Sequence, residues 1–216
     1  MFKSGFLETF SKVYFWVPLV IYIPIILFLT YQGLFVAELT IWTFLGLFAA
    51  GLLVWTLTEY VLHRFVFHYE PQNEIGKRLH FIFHGVHHDY PNDAKRLVMP
   101  PSASIPLAAA FYFLFDWLLP ATYNYGFFTG FISGYLVYDM THYAIHHYNF
   151  KSSFMKNVKK HHMLHHYSDP EHGYGVSSDL WDRVFRSGFK KEPAGRSGSK
   201  LSGDGIHVFG GPTERS

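Results

Sequence analysis

Two stretches of this chain carry no charged residue for nineteen and twenty positions, Val13–Tyr31 and Leu39–Thr58. At 1.5 Å of rise per residue, a helix over either stretch reaches roughly 30 Å, the thickness of a bilayer's hydrocarbon core. The first is longer than the apolar core of a signal peptide and lacks a small-residue cleavage site after it, so it reads as a retained span. Pro18 and Pro24 are expected to kink it, which neighbouring helices in lipid tolerate. Two weaker apolar runs follow. Ala103–Leu119 contains Asp116, and Ala121–Tyr138 is rich in Gly and Tyr, with Pro120 alone between them. They read as a tight helical hairpin in which Gly126, Gly130 and Gly134 form a small-residue face for close packing. The expected fold class is therefore all-α: an integral membrane protein of four transmembrane helices in two hairpins.

Charge placement orients the spans. All 18 Lys and Arg fall before the first run, between the second and third, or after the fourth. Neither Gln32–Glu38 nor the turn at Pro120 holds one. Short loops rich in Lys and Arg stay cytoplasmic, so both termini and both polar regions are expected on the cytosolic face, in the endoplasmic reticulum of a eukaryote or the inner membrane of a bacterium. The aromatic content of 20% suits a chain anchored at membrane interfaces. The net charge of +2 says little, and nothing points to nucleic acid. Residues 1–192 read as one membrane domain, and 193–216, dense in Gly, Ser and Pro, as a flexible tail. There is no internal repeat.

The chain has no cysteine, which removes disulfides, thiolate haem, iron–sulfur clusters and cysteine zinc sites. It has 15 histidines, all at or after the end of the second run. They fall in clusters: His63 and His68; His84, His87 and His88; His142, His146 and His147; His162, His165 and His166. Spacings of three and four residues share a helix face. His84 is thus expected to converge with His87 and His88, His142 with His146, and His162 with His165 and His166. His63 and His68 lie about 140° apart on an ideal helix and converge only if its end unwinds or curls.

Ten convergent imidazoles exceed the three or four ligands of one zinc site and suit a pair of ions in a histidine-rich helical cap on the cytosolic side. Imidazole alone does not choose among Fe, Zn, Cu and Ni. His80 and His161 are second-tier candidates, as ligands or as residues that orient one. His147, His172 and His207 read as ordinary polar residues. There is no His-Glu-x-x-His motif, no paired Glu-x-x-His, no Gly-rich phosphate loop and no Gly-x-Ser-x-Gly elbow.

The order His-x4-His, His-x2-His-His, His-x3-His, His-x2-His-His after paired spans resembles the fatty acid hydroxylase and sterol desaturase superfamily. The flanks Leu79–His88, Arg96–Pro101, Gly134–Tyr143, Gly173–Ser177 and Leu180–Asp182 look closest to fatty acid 2-hydroxylases, over roughly residues 59–189. The His-Pro-Gly-Gly mark of the cytochrome b5 domain fused to many eukaryotic relatives is absent from the sequence.

The resemblance implies ten metal ligands: His63, His68, His84, His87, His88, His142, His146, His162, His165 and His166. It implies Tyr135, Tyr138 and Asp139 near the metals, beside a ligand or in the substrate channel. The implied activity is a non-haem di-iron monooxygenase that hydroxylates C2 of an acyl chain, free or amide-linked in a ceramide-like lipid. The implied cofactors are two iron ions, which zinc can displace in recombinant protein, and O2. Electrons would come from a separate cytochrome b5 or ferredoxin; the other partners are the acyl substrate and membrane lipids. Two alternatives stay open: a sterol or carotenoid hydroxylase or desaturase of the same superfamily, and a histidine-rich membrane protein that binds or transports metal. The clusters lie outside the spans, whereas transporters place ligands at mid-membrane, which favours catalysis.

Overall fold

The computed structural model describes residues 12–190, and among these it contains helices and no strands. The proposed tail 193–216, with His207, lies outside the described residues. α1 runs Val17–Tyr31 and continues through a π-helical turn to Val36. Pro18 sits in its first turn, where a missing N–H costs nothing, so only Pro24 interrupts the helix interior. α2 runs Ile41–Val61 and opens on Thr40, whose hydroxyl accepts the Thr43 N–H at 3.2 Å. It also ends in a π-helical turn, Leu62–Phe67.

The short helices α3 (Glu74–His80) and α4 (Val86–Asp89) are joined by a third π turn, Phe81–Gly85. α5 is Pro101–Leu118, with Pro at its first position, and α6 is Ala121–His147. α7 is Ser153–Tyr167, and α8 is the five-residue Leu180–Val184.

The extended apolar segments Val17–Val36 and Ile41–Phe67 are long and apolar enough to cross a bilayer, with mean hydropathies of 2.1 and 1.8. α5 and α6 fall short of that measure among the described residues. On α6 the reason is its surroundings. It is the central helix, with α1, α2 and α5 around it, and it buries Asn124, Thr129 and Asp139 beside its aromatic rings. Such a helix touches protein on most sides and is not selected for apolarity all round. α5 does present large apolar side chains outward, Phe113 at 68% exposure and Trp117 at 80%.

α2 and α6 pack backbone to backbone. A Cβ on Gly130 would lie 1.9 Å from the Phe48 carbonyl oxygen, and one on Gly51 would lie 1.9 Å from that of Phe127. The small-residue face expected on the fourth run therefore docks against α2. Trp55 of α2 closes the contact against Phe131 and Tyr135, with ring centroids 5.2 and 5.3 Å away. α5 and α6 form the hairpin expected at Pro120, tied by Asn124 Nδ2 donating to the Tyr112 carbonyl at 3.3 Å. These contacts bring the C-terminal ends of α2 and α6 to one side, where the histidines are.

Candidate metal centre

The π turn at the end of α2 answers how His63 and His68 meet. Its hydrogen bonds skip five residues, with the His68 N–H reaching the His63 carbonyl at 3.2 Å. Residues five apart, splayed on an α-helix, come into line on a π turn. The expected departure from helical geometry at this point is thus a wider turn.

Ten histidine Nε2 atoms gather in two groups, within each of which all donors lie inside 4.8 Å. One group is His63, His68, His84, His88 and His165; the other is His87, His142, His146, His162 and His166. The ten residues are those expected. Their grouping differs from expectation, because each His-x2-His-His motif is divided. His84 and His88, four apart, serve one group while His87 crosses to the other; His162 and His166 stay together while His165 crosses back. Positions i+3 and i+4 of a helix differ by about 100°, enough to aim two adjacent histidines at different centres.

The spacing fits metal shells and does not fit hydrogen bonding. His84 Nε2 lies 3.2 Å from His63 Nε2, 3.2 Å from His68 Nε2 and 2.9 Å from His88 Nε2. His162 Nε2 lies 3.1, 3.0 and 3.0 Å from those of His142, His146 and His166. A ring nitrogen has one N–H or one lone pair, so it cannot bond three like neighbours at once. Two nitrogens each about 2.1 Å from a shared ion, at right angles, stand about 3 Å apart. Each group thus has the donors and spacing to hold one ion.

Electrostatics agree. Burial first, then repulsion from neighbouring imidazoles, pushes His68 down to about 3 and His88 to about 4. His84, His87 and His162 are pushed well down for the same reasons. Neutral imidazole is the form that ligates. Six ligands or near neighbours stand in the last turns of helices, His87 and His88 on α4, His146 and His147 on α6, and His165 and His166 on α7. The partial negative charge of a helix C-terminus favours a cation there.

His80, His147, His161 and His172 join neither group. The His147 ring lies against Tyr143, centroids 4.7 Å apart. His161 Nε2 is bonded to Asp182 Oδ2 at 3.0 Å, so it supports a loop instead of ligating. Tyr135 donates its hydroxyl hydrogen to Asp139 Oδ2 at 2.8 Å, and Asp139 Oδ1 accepts the Met99 N–H at 3.4 Å. The Tyr138 ring stacks on His142 with centroids 5.8 Å apart.

An apolar groove of about 330 Å³ opens between α1, α5 and α6, lined by Tyr22, Leu29, Ile105, Ala108, Phe128 and Ile132. Ala108 and Ile132 also line a narrow slot that continues to Trp55, Ser104 and Tyr135.

Sequence reasoning missed the loop that supports the first group. The His63 Nδ1 is bonded to the Tyr174 carbonyl, and His165 Nδ1 to the His172 carbonyl at 2.8 Å. Two buried carboxylates, Glu59 and Asp182, hold the loop from beneath. Burial works against ionisation of Asp182, but hydrogen bonds from His161, the Gly175 N–H and Ser187 outweigh it and hold the carboxyl below its usual range. The available signals were a lone Glu ending a charge-free run and the Gly173–Ser177 flank.

The Fatty acid hydroxylase family model matches residues 48–187. The chain is 40% identical over 185 residues to the ceramide very long chain fatty acid hydroxylase SCS7 of Saccharomyces cerevisiae, covering 84% of this chain and 47% of the yeast protein. It is 36% identical over 188 residues to the dihydroceramide fatty acyl 2-hydroxylase FAH2 of Arabidopsis thaliana, covering 85% and 77%. It is 35% identical over 213 residues to human fatty acid 2-hydroxylase, covering 89% and 57%. The chain thus spans about half the length of the yeast and human proteins it matches. A solved structure, full-length scs7p with only the hydroxylase domain visible, superposes with a TM-score of 0.82 at 39% identity, covering 86% of this chain and 70% of that one.

Proposed function

Because the chain belongs to the fatty acid hydroxylase family, we propose that it is a membrane-bound non-haem di-iron monooxygenase that hydroxylates C2 of an acyl chain, free or amide-linked in a ceramide-like lipid. One observation carries the reading: two shells of five Nε2 atoms that fit an ion each, in a chain that also opens an apolar groove. The relatives, fatty acid and dihydroceramide fatty acyl 2-hydroxylases, favour C2 of an acyl chain over a sterol or carotenoid.

His63, His68, His84, His88 and His165 would hold one iron, and His87, His142, His146, His162 and His166 the other. Bound there, the iron pair would supply O2 activation for an unreactive C–H bond. The chain's own residues do the rest. The groove takes the acyl tail, and the slot beyond Ala108, about 10 Å³ and closed to water, must widen before a chain passes toward Tyr135. Tyr135 and Asp139 form a buried hydrogen-bonded pair at the slot's inner end, where they orient the carboxyl or amide end of the substrate. Tyr138 fixes the face of His142. Two electrons come from a cytochrome b5 or a ferredoxin.

In this reading α1, α2, α5 and α6 all cross the membrane, and the histidine cap faces the cytosol. The exposed Phe113 and Trp117 support a lipid-facing α5. The chain is free of cysteine, so single cysteines at Gln32 and Pro120 report sidedness directly; labelling of either by a reagent confined to the cytosolic side refutes the topology. The hydroxylase unit takes in residues 1–192.

Expression in a host without 2-hydroxy lipids tests the reaction. Mass spectrometry of hydrolysed acyl chains should show a 2-hydroxyl carrying label from isotopic O2. Label from water alone overturns the mechanism, and a hydroxyl elsewhere or a double bond overturns the assigned position.

A further inference from the structure

The five consecutive backbone N–H groups of residues 173–177 are all accounted for, and four of them end on carboxylates. The Gly173 N–H donates to the Ser187 carbonyl at 2.9 Å. Those of Tyr174 and Gly175 donate to Asp182 Oδ1 and Oδ2 at 3.0 and 2.8 Å. Those of Val176 and Ser177 both donate to Glu59 Oε1, at 2.8 and 2.7 Å, and the Ser177 hydroxyl donates to Oε2 at 2.7 Å. Ser187 Oγ and His161 Nε2 complete the shell of Asp182. Glu59 is 5% exposed and Asp182 1%.

A loop held through nearly every amide has little freedom left in its carbonyls. Two of the carbonyls at this loop, those of His172 and Tyr174, accept from the Nδ1–H groups of His165 and His63. That bond fixes the tautomer which leaves Nε2 free for a metal, and it raises the basicity of the ligand. Both histidines belong to the group with His68, His84 and His88. The other group receives no bond from this loop among the described residues. Nδ1 of His87, His162 and His166 is buried without a protein partner, and that of His142 sits near the Leu97 carbonyl without a bond of ordinary geometry.

We propose that Glu59 and Asp182 are positioning residues for one of the two metal ions alone, the one held by His63, His68, His84, His88 and His165, acting through the Tyr174 and His172 carbonyls. The proposal rests on the two-ion reading above. The two ions are therefore unequal, with one in a rigid, oriented shell and the other in a shell freer to rearrange or exchange.

Cobalt(II) titration of the full chain in detergent, against a competing chelator and followed by ligand-field absorption, tests this without any turnover. His142→Ala leaves only the supported shell intact, and His84→Ala leaves only the other. Adding Asp182→Asn or Glu59→Gln should weaken cobalt binding about 10–100-fold in the His142→Ala protein and leave it unchanged in the His84→Ala protein. Equal weakening in both backgrounds means a general structural role and overturns the proposal, as does no weakening in either. Should Asp182→Asn fail to fold, Ser187→Ala removes one bond to the same carboxylate and must show the same selectivity in smaller degree. Parent protein that binds fewer than two ions defeats the two-ion reading, and this proposal with it, before any carboxylate variant is made.

Discussion

His165 Nε2 lies 3.0 Å from His68 Nε2, ninety-seven residues away in the chain, and belongs to a different histidine group from its neighbours His162 and His166. His87 makes the reciprocal crossing, 2.9 Å from His142. Each shell is thus assembled from both motifs, and α4 and α7 must dock on each other before either is complete. Replacing His165 with Ala should lower metal affinity at the His68 shell by more than the ~10–100-fold that losing an outer-shell partner costs, and spare the shell that holds its sequence neighbours. Chelator competition on His165→Ala and His87→Ala measures it; loss confined to the shell of the adjacent histidines would refute the crossing.

The approach of α2 to α6 sets how closely His63 and His142 can be brought together. Gly130→Ala places a methyl within 1.9 Å of the Phe48 carbonyl oxygen, a backbone atom that cannot swing aside. The helices must separate, at a cost at or above the usual ~1–3 kcal/mol of overpacking. Gly46→Ala, on α2 with nothing within 4 Å of its Cβ, is the matched control. Thermal unfolding in detergent should fall for the first and hold for the second, and equal behaviour would show that the close approach is not limiting.

Part of this was legible in the sequence, and the physical reasons divide it. α1 and α2 are apolar nearly all round and leave large apolar side chains such as Val20, Leu27 and Leu53 exposed, so their runs stand out. α6 is central, and its Asn124, Asp139 and glycines serve neighbours, so its pattern is diluted. Helical spacing grouped His84 with His87 and His88, and His162 with His165 and His166. The i+4 partners hold, but His87 and His165 belong to the opposite groups, because their destinations depend on how α4 and α7 dock. The π turn joining His63 to His68 has no composition signal. Glu59 showed only as the acid ending an apolar run, and its partners lie 117 and 118 residues away.

Acid should open the metal shells. Burial and neighbouring imidazoles hold His68 at about 3, and His88 and His146 at about 4. In the unfolded chain these groups titrate near their ordinary value of about 6.5. Between those limits the unfolded state binds more protons, so this contribution to stability is complete above about pH 6.5. It is lost as pH falls through about 4 and 3. Proton competition for the same nitrogens makes metal affinity fall in parallel. Metal content and unfolding temperature measured at pH 7, 5.5 and 4 should decline together; metal retained at pH 4 with an unchanged melting temperature would refute this account.

Ala108 and Ile132 are the two side chains shared by the lipid-facing groove and the slot toward Tyr135, so they form the neck between them. Ala108 is the narrower lever, since a large side chain there fills the passage without touching a histidine. Ala108→Phe should reduce hydroxylation of very long acyl chains at least tenfold while leaving two metals per chain and the unfolding temperature near that of the parent. Ala108→Gly, which widens the neck, should leave long-chain turnover intact. Parallel assays on short and long acyl substrates, with metal analysis of the same samples, separate a blocked passage from a damaged centre. Equal loss on short and long chains, or loss of metal, would mean that the acyl chain does not pass between Ala108 and Ile132.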